Sequence, residues 1–395
     1  WSNSASYPFI AKFNSAGSLD WIYTYESNYG AIHNAIELSD RIYCGGVIWD
    51  GANNKGFILS ISKAGEIQWQ KTVGDTTEIV DLATDENNLY AIGNHSTTGI
   101  MAMKLNPAGI EQWSRTLEYN DSSASNTMVA TSCTFAGTPT TSIDTYALAG
   151  DATAENNLYI ASYDSTANQS LITRINSTGG YVATYQYGDV RVNSLSLDTG
   201  NGDGIYLMAA GWYDPAGGVA KNPLLFRTNV AGAVQWQSQI ADGSENGEFK
   251  DVLPFGDDVY VSGYINRSTN TYNNGLLCRY TSNGTLSWSQ LFGNSSNDIS
   301  LNGVTLDGVN VIAAGQEESN GIIINIQRDN ALGIGTISSG NYIYYTSGTL
   351  AETQNTVVTQ AFNEIDNNSV TLGLSDESLT LNQTPSQTRS VVATR

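Results

Sequence analysis

The chain has 395 residues, of which 40% are apolar, 10% aromatic and only 14% charged, a balance that suits a packed globular protein and excludes a disordered or collagen-like one. Its 38 acidic against 17 basic residues give a formal net charge of -21, which repels phosphate backbones and anionic lipid and so speaks against nucleic acid and membrane surfaces as partners. Three cysteines, Cys44, Cys133 and Cys278, are too few and too scattered for a disulfide framework or a zinc spacing, and are expected as small buried residues.

In chain order, the opening run WSNSASYPFI has neither the basic nor the apolar region of a signal peptide, which leaves export open. From residue 9 a single unit recurs. FIAKFNSAGSLDW at 9–21 is followed by FILSISKAGEIQW at 57–69, MAMKLNPAGIEQW at 101–113, LITRINSTGGYVA at 171–183, LLFRTNVAGAVQW at 224–236, LLCRYTSNGTLSW at 276–288 and IIINIQRDNALGI at 322–334. The turn glycines fall at 17, 65, 109, 179, 232 and 284, with Asn330 in the seventh slot. In each copy an apolar run meets a short Asn, Ser and Gly turn, and polar and apolar residues then alternate, which predicts a β-hairpin whose turn needs a left-handed residue.

Between the hairpins lies a second pair of short strands, clearest in EIVDLATDENNLYAIG (78–93), YALAGDATAENNLYIAS (146–162), NSLSLDTGNGDGIYLMAAG (193–211), FKDVLPFGDDVYVSG (249–263) and ISLNGVTLDGVNVIAAG (299–315). Four antiparallel strands per period of about 45 to 50 residues is the period of a propeller blade. Trp21, Trp69, Trp113, Trp236 and Trp288 share one slot, filled by Ala183 and Ile334 elsewhere, and are expected to pack blade against blade. Lys12, Lys104, Arg174, Arg227 and Arg279 share another, expected to serve repeated interblade stacks or salt bridges.

Hairpins of the form AKFNSAGSLDW or MKLNPAGIEQW, preceded by strands like DENNLYAIG, resemble the SBBP-type β-propeller repeats of bacterial and phage surface and secreted proteins, and are similar to quinone-type propeller repeats. The resemblance implies that each Gly-turn-Trp hairpin is the outer C–D pair of a blade. The chain then opens on an orphan hairpin, runs A-B-C-D through six more hairpins and ends with an A–B pair at 355–374. The expectation is an all-β, seven-bladed propeller occupying residues 1–376, closed by the N-terminal hairpin, with 377–395 as a C-terminal hairpin or tail. If that tail completes a blade of its own, the count is eight.

Strand order also sorts the loops. The A–B and C–D turns lie on one face and are short; the B–C and D–A connections lie on the other, where the irregular stretches 119–141 and 338–354 are expected. Trp49, Tyr163, Trp212, Tyr213 and Tyr264 open the B–C loops there and make the candidate partner surface, with burial at a blade edge as the plain alternative for each. DTGNGDG at 198–204 touches the calcium-loop pattern through Asp198, Asn201 and Asp203, but Thr199 departs from it and no twelfth-position glutamate follows, so the run reads first as an A–B turn. No other cofactor is implied.

His33 and His95 are the only histidines, which rules out a histidine-rich metal centre, and no nucleophile elbow, P-loop or dinucleotide fingerprint occurs. The expected function is a non-enzymatic structural or interaction propeller on a virion tail or fibre, or on a bacterial surface, binding a protein or glycan. A carbohydrate-active or quinone-dependent propeller enzyme, or an envelope assembly scaffold, is the alternative.

Overall fold

A computed structural model describes residues 8–14, 19–24, 29–95, 99–119, 128–136, 157–165, 167–199, 204–214, 221–240, 246–266, 272–293, 297–318 and 320–328, with short strands at 344–346, 352–353, 359–362, 365–369, 374–376 and 382–383. The chain is an all-β propeller. Its N-terminal hairpin is β1 (Phe9–Phe13) and β2 (Leu19–Thr24). Five four-stranded antiparallel blades follow: β3 (Gly30–Leu38) to β4 (Arg41–Trp49), β5 (Asn54–Ser62) and β6 (Ile67–Val73); β7 (Thr76–Thr84), β8 (Leu89–His95), β9 (Ile100–Leu105) and β10 (Glu111–Tyr119); β11 (Met128–Ala136), β12 (Asn157–Asp164), β13 (Gln169–Asn176) and β14 (Tyr181–Gly188). The fourth is β15 (Val190–Asp198), β16 (Tyr206–Tyr213), β17 (Asn222–Asn229) and β18 (Val234–Ile240); the fifth is β19 (Asn246–Phe255), β20 (Asp258–Asn266), β21 (Asn273–Thr281) and β22 (Leu286–Gly293). A sixth sheet holds β23 (Ile299–Asp307), β24 (Asn310–Glu317) and β25 (Asn320–Gln327).

Each outer hairpin is made by its turn chemistry. Asn106 Oδ1 accepts from the amides of Ala108 and Ile110, both at 3.0 Å, and Asn229 Oδ1 does the same for Ala231 and Ala233. Gly65, Gly109, Gly179, Gly232 and Gly284 all lie at φ between +75° and +95°, where a side chain is strained. These turns are also the interblade joints. The indole Nε1 of Trp69 donates to Pro107 O (3.0 Å), Trp113 to Ser177 O (2.9 Å) and Trp236 to Ser282 O (2.8 Å), in each case into the next blade's turn. Trp21 of the N-terminal hairpin does the same to Lys63 O. In the blade where Ala183 replaces tryptophan, Tyr185 lies against Gly232 and the Tyr187 hydroxyl donates to Gly232 O (2.9 Å).

The recurrent cations pair first within their own blade, where interblade bridges were expected. Lys104 meets Asp85 (3.3 Å), Arg227 meets Asp198 (2.9 Å) and Arg279 meets Asp258 (2.8 Å), because a carboxylate at or beside the A–B turn reaches the cation of the C strand. Lys104 also lies over the Tyr90 ring and Arg227 over Tyr206. The three cysteines are buried and unpaired, and the apolar core divides into clusters that sit largely between successive blades.

Three expectations are corrected. Six sheets, not seven, carry an inner strand among the described residues. The segment 355–374 does not supply an inner A–B pair: it contains β28 (Thr359–Phe362) and β29 (Ile365–Ser369), which pair antiparallel with the outer strands β14 and β10. They belong to a series in which β26 (Tyr344–Thr346), β27 (Glu352–Thr353), β30 (Leu374–Asp376) and β31 (Asn382–Gln383) add to β22, β18, β6 and β2. The C-terminal region therefore runs backwards around the ring, one short strand per blade, taking up the backbone donors and acceptors of otherwise open sheet edges. The rest of the expected tail hairpin at 377–395 lies outside the described residues. Lastly, the inner strand of the third blade is Met128–Ala136 rather than the YALAG run at 146–150, so the D–A connection expected at 119–141 is confined to 120–127, and 137–156 joins an A strand to a B strand.

Candidate functional site: the axial channel

Every inner strand carries a β-bulge at the same level. Apart from a second slip of β7 at Thr77, the pairing register slips past His33 in β3, Val80 in β7, Thr131 in β11, Asn193 in β15, Lys250 in β19 and Asn302 in β23. All six line one axial cavity of about 900 Å³. Two residues earlier stand Glu78, Val129, Arg191, Glu248 and Ser300, which line it nearer the mouth. The neighbouring B strand is glycine where the bulged backbone comes closest. A Cβ added at Gly93, Gly211, Gly263 or Gly315 would lie 1.8 to 2.1 Å from the carbonyl oxygen of Glu78, Arg191, Glu248 or Ser300 respectively.

In five of the six strands the residue after the bulge is polar, and Asn34, Asp81, Ser132, Ser194 and Asp251 build a hydrogen-bonded belt at the blade junctions. Asp81 is the best satisfied: it accepts from Asn34 Nδ2 (2.5 Å), Ser132 Oγ (2.7 Å), Cys133 N (2.8 Å) and Leu82 N (2.8 Å), linking three blades. Ser132 in turn accepts from Leu195 N, and Asp251 accepts from Ser194 Oγ and Val304 N, each at 2.9 Å. Burial pushes the Asp81 carboxyl up to about 6 despite these donors, and moves Asp251 upward for the same reason. With every oxygen engaged, these two are structural.

The cavity wall itself carries charge. Glu78 accepts from His33 Nε2 (3.3 Å) and Asn94 Nδ2 (2.6 Å), and the His33 contact foremost holds its carboxyl below the usual range. Burial works against ionisation of Glu248, but Lys250 (2.6 Å), Asn193 (2.7 Å) and Tyr264 outweigh it and its carboxyl is also held low. Burial and the Glu248 charge raise the Tyr264 hydroxyl. Asp298, Glu318, Gln316 and Asn273, from the ends of strands next to the B–C and D–A connections, complete the mouth, which therefore opens on the face those connections form.

Of the residues singled out from sequence, Tyr264 lines this mouth, and Trp49, 38% exposed at the end of β4, stands on the same face. Tyr163 and Trp212 are buried, packed edge to face at 5.8 Å and covered by Arg191 and Lys221. Tyr213 is half-buried against the cluster between the third and fourth blades. Asp198 is in the ion pair with Arg227, while Asn201 and Asp203 lie outside the described residues. Among the described residues no group of three or more His, Cys, Asp or Glu side chains is gathered to hold a metal. Sequence reasoning missed Arg191, Thr131, Asn193 and Lys250. The signal was the B-strand glycine recurring in AIGN, AAGW, VSGY and AAGQ, whose following residue, in Asn94, Tyr264 and Gln316, faces the cavity.

The chain matches no protein-family model and no curated protein.

Proposed function

We propose that the protein is a non-enzymatic interaction propeller, displayed on a virion or a bacterial surface, that holds a protein or glycan partner on its loop face around the channel mouth. The observation that carries this reading is the position of the cavity, which opens beside Tyr264 at the B–C and D–A connections, opposite the repeated C–D turns. The wall carboxylates favour binding over acid catalysis, since Glu78 and Glu248 are held ionised by hydrogen-bonded partners rather than raised toward neutrality. The acidic, Ser-, Thr- and Asn-rich composition suits an exposed particle or envelope surface.

A seven-place ring of SBBP type is part of the same reading. Inner strands pack side by side at each junction from β3 through β23, but β23 and β3 share no comparable packing. Trp21 meanwhile makes the contact that an outer strand of a preceding blade would make. A seventh blade with β1 and β2 as its outer half accounts for both.

A glycan array probed with the intact protein tests the function. Bound glycans whose signal falls at least tenfold in Trp49→Ala support the loop face as the partner surface. Turnover of an arrayed glycan, or binding that Trp49→Ala leaves unchanged, overturns it.

A further inference from the structure

One charge in the channel has no counterpart. His33 meets Glu78 and Lys250 meets Glu248, but among the described residues no carboxylate or carbonyl oxygen meets the Arg191 guanidinium. Its single neighbour of note is the Tyr163 ring, 5.1 Å away, and its Nε is shielded from solvent with nothing to donate to. The shielded Nε–H is a buried donor without an acceptor, and in a chain with 38 acidic and 17 basic residues this guanidinium is left available to an acceptor from outside. From the adjoining blade Thr131 Oγ1 is likewise buried without a partner, and it lines the same cavity. Two orphaned polar atoms from neighbouring inner strands thus border one opening. The backbone beneath Arg191 is fixed, since its carbonyl sits over Gly211 with no room for a Cβ.

We propose that the channel mouth binds a carboxylate-bearing sugar, with Arg191 taking the carboxylate and Thr131 adding a hydroxyl donor. A planar guanidinium matches a carboxylate through two parallel hydrogen bonds. The remaining wall suits hydroxyl groups: Asp298, Glu318 and Gln316 offer acceptors, and the half-buried Tyr264 ring offers an apolar face. Those same carboxylates, with Glu78 and Glu248, repel a multiply charged anion such as sulfate, so a single negative group set among hydroxyls is the best match. The volume of about 900 Å³ admits such a ligand. The inference rests on the reading above only in taking the loop face as the side of entry.

Calorimetric titration of the full chain with glucuronate tests it, with glucose, glycine and inorganic sulfate as comparisons. Saturable glucuronate binding is expected, with glucose, glycine and sulfate each at least tenfold weaker. Arg191→Ala should lose at least tenfold in affinity, and Arg191→Lys should fall between it and the parent. The near-isosteric Thr131→Val should weaken binding severalfold with no change in melting temperature, which keeps the test open if Arg191→Ala folds poorly. No glucuronate binding, equal binding of glucose, tighter binding of glycine or sulfate, or full affinity in Arg191→Ala overturns the proposal. Failure of that titration beside Trp49-dependent glycan binding removes this inference alone, and the reverse pattern removes only the loop-face reading.

Discussion

At the outer corner of successive blades the same side chain does the same work: Trp69, Trp113 and Trp236 each send an indole N–H into the next blade's turn, against a glycine with positive φ. At the inner edge the backbone repeats just as faithfully, with a bulge in all six strands, yet the bulged positions hold His33, Val80, Thr131, Asn193, Lys250 and Asn302, five residue types in six places. The outer side chains fill a closed joint whose shape is set by the neighbouring blade, so few residues fit. The inner ones face a cavity and are limited only by the backbone that carries them. Repetition in this chain marks packing, and divergence on a repeated backbone marks the surface free to acquire a function.

That comparison can be broken most directly at a joint. Trp113 is 9% exposed, packs on Tyr90 and belongs to the cluster joining the second and third blades. Trp113→Ala should cost about 3–5 kcal/mol in unfolding free energy, from lost burial and the cavity left behind. Trp113→Phe keeps most of the ring and loses the bond to Ser177 O, which should cost about 1 kcal/mol. Denaturant unfolding reads both. If the alanine variant unfolds at the parent's midpoint, the joint does not hold the ring as argued.

The polar belt beneath the channel sharpens the contrast, since it is inner in position but built like a joint. Asp81→Asn places an amide N–H₂ among four donors and should cost about 1–3 kcal/mol. Its pH dependence has a definite sign. Burial raises the folded-state carboxyl to about 6, above its unfolded value, so the stability Asp81 contributes is fully present below about pH 4 and declines as the pH rises through about 6. Thermal melts should show the gap between parent and Asp81→Asn narrowing across that window and level above it. A gap that widens there would place the carboxylate, not the acid, as the stabilising form.

The outer joints were legible in the sequence because their causes are local: Asn106, Pro107 and Gly109 make the turn and Trp113 follows at a fixed spacing. The inner strands were less so. YALAG at 146–150 precedes ENNLYIAS just as true inner strands precede their partners, and only the pairing of Met128–Ala136 with Asn157–Asp164 separates them. The C-terminal strands join their blades through backbone hydrogen bonds, which impose little on side chains, so 355–374 read equally well as an inner pair. In the channel, Tyr264 was legible as an aromatic at a loop, but Arg191 and Thr131 were not, because an unpaired group is defined by what surrounds it.

The smallest expected effect is the most exacting test of the comparison. Asn302 is a bulge residue on the cavity wall, exposed, and its side-chain oxygen accepts only from Ser300 Oγ (2.8 Å), itself a wall residue. Nothing in a blade junction depends on it, and the next residue in the belt is Gly303, which has no side chain to link. Asn302→Ala should therefore change unfolding free energy by no more than about 0.5 kcal/mol, the range of surface substitutions away from packing or networks. A loss comparable to that of Trp113→Phe would mean that the bulge side chains hold the ring together after all, and their variety would then need a cause other than freedom from packing.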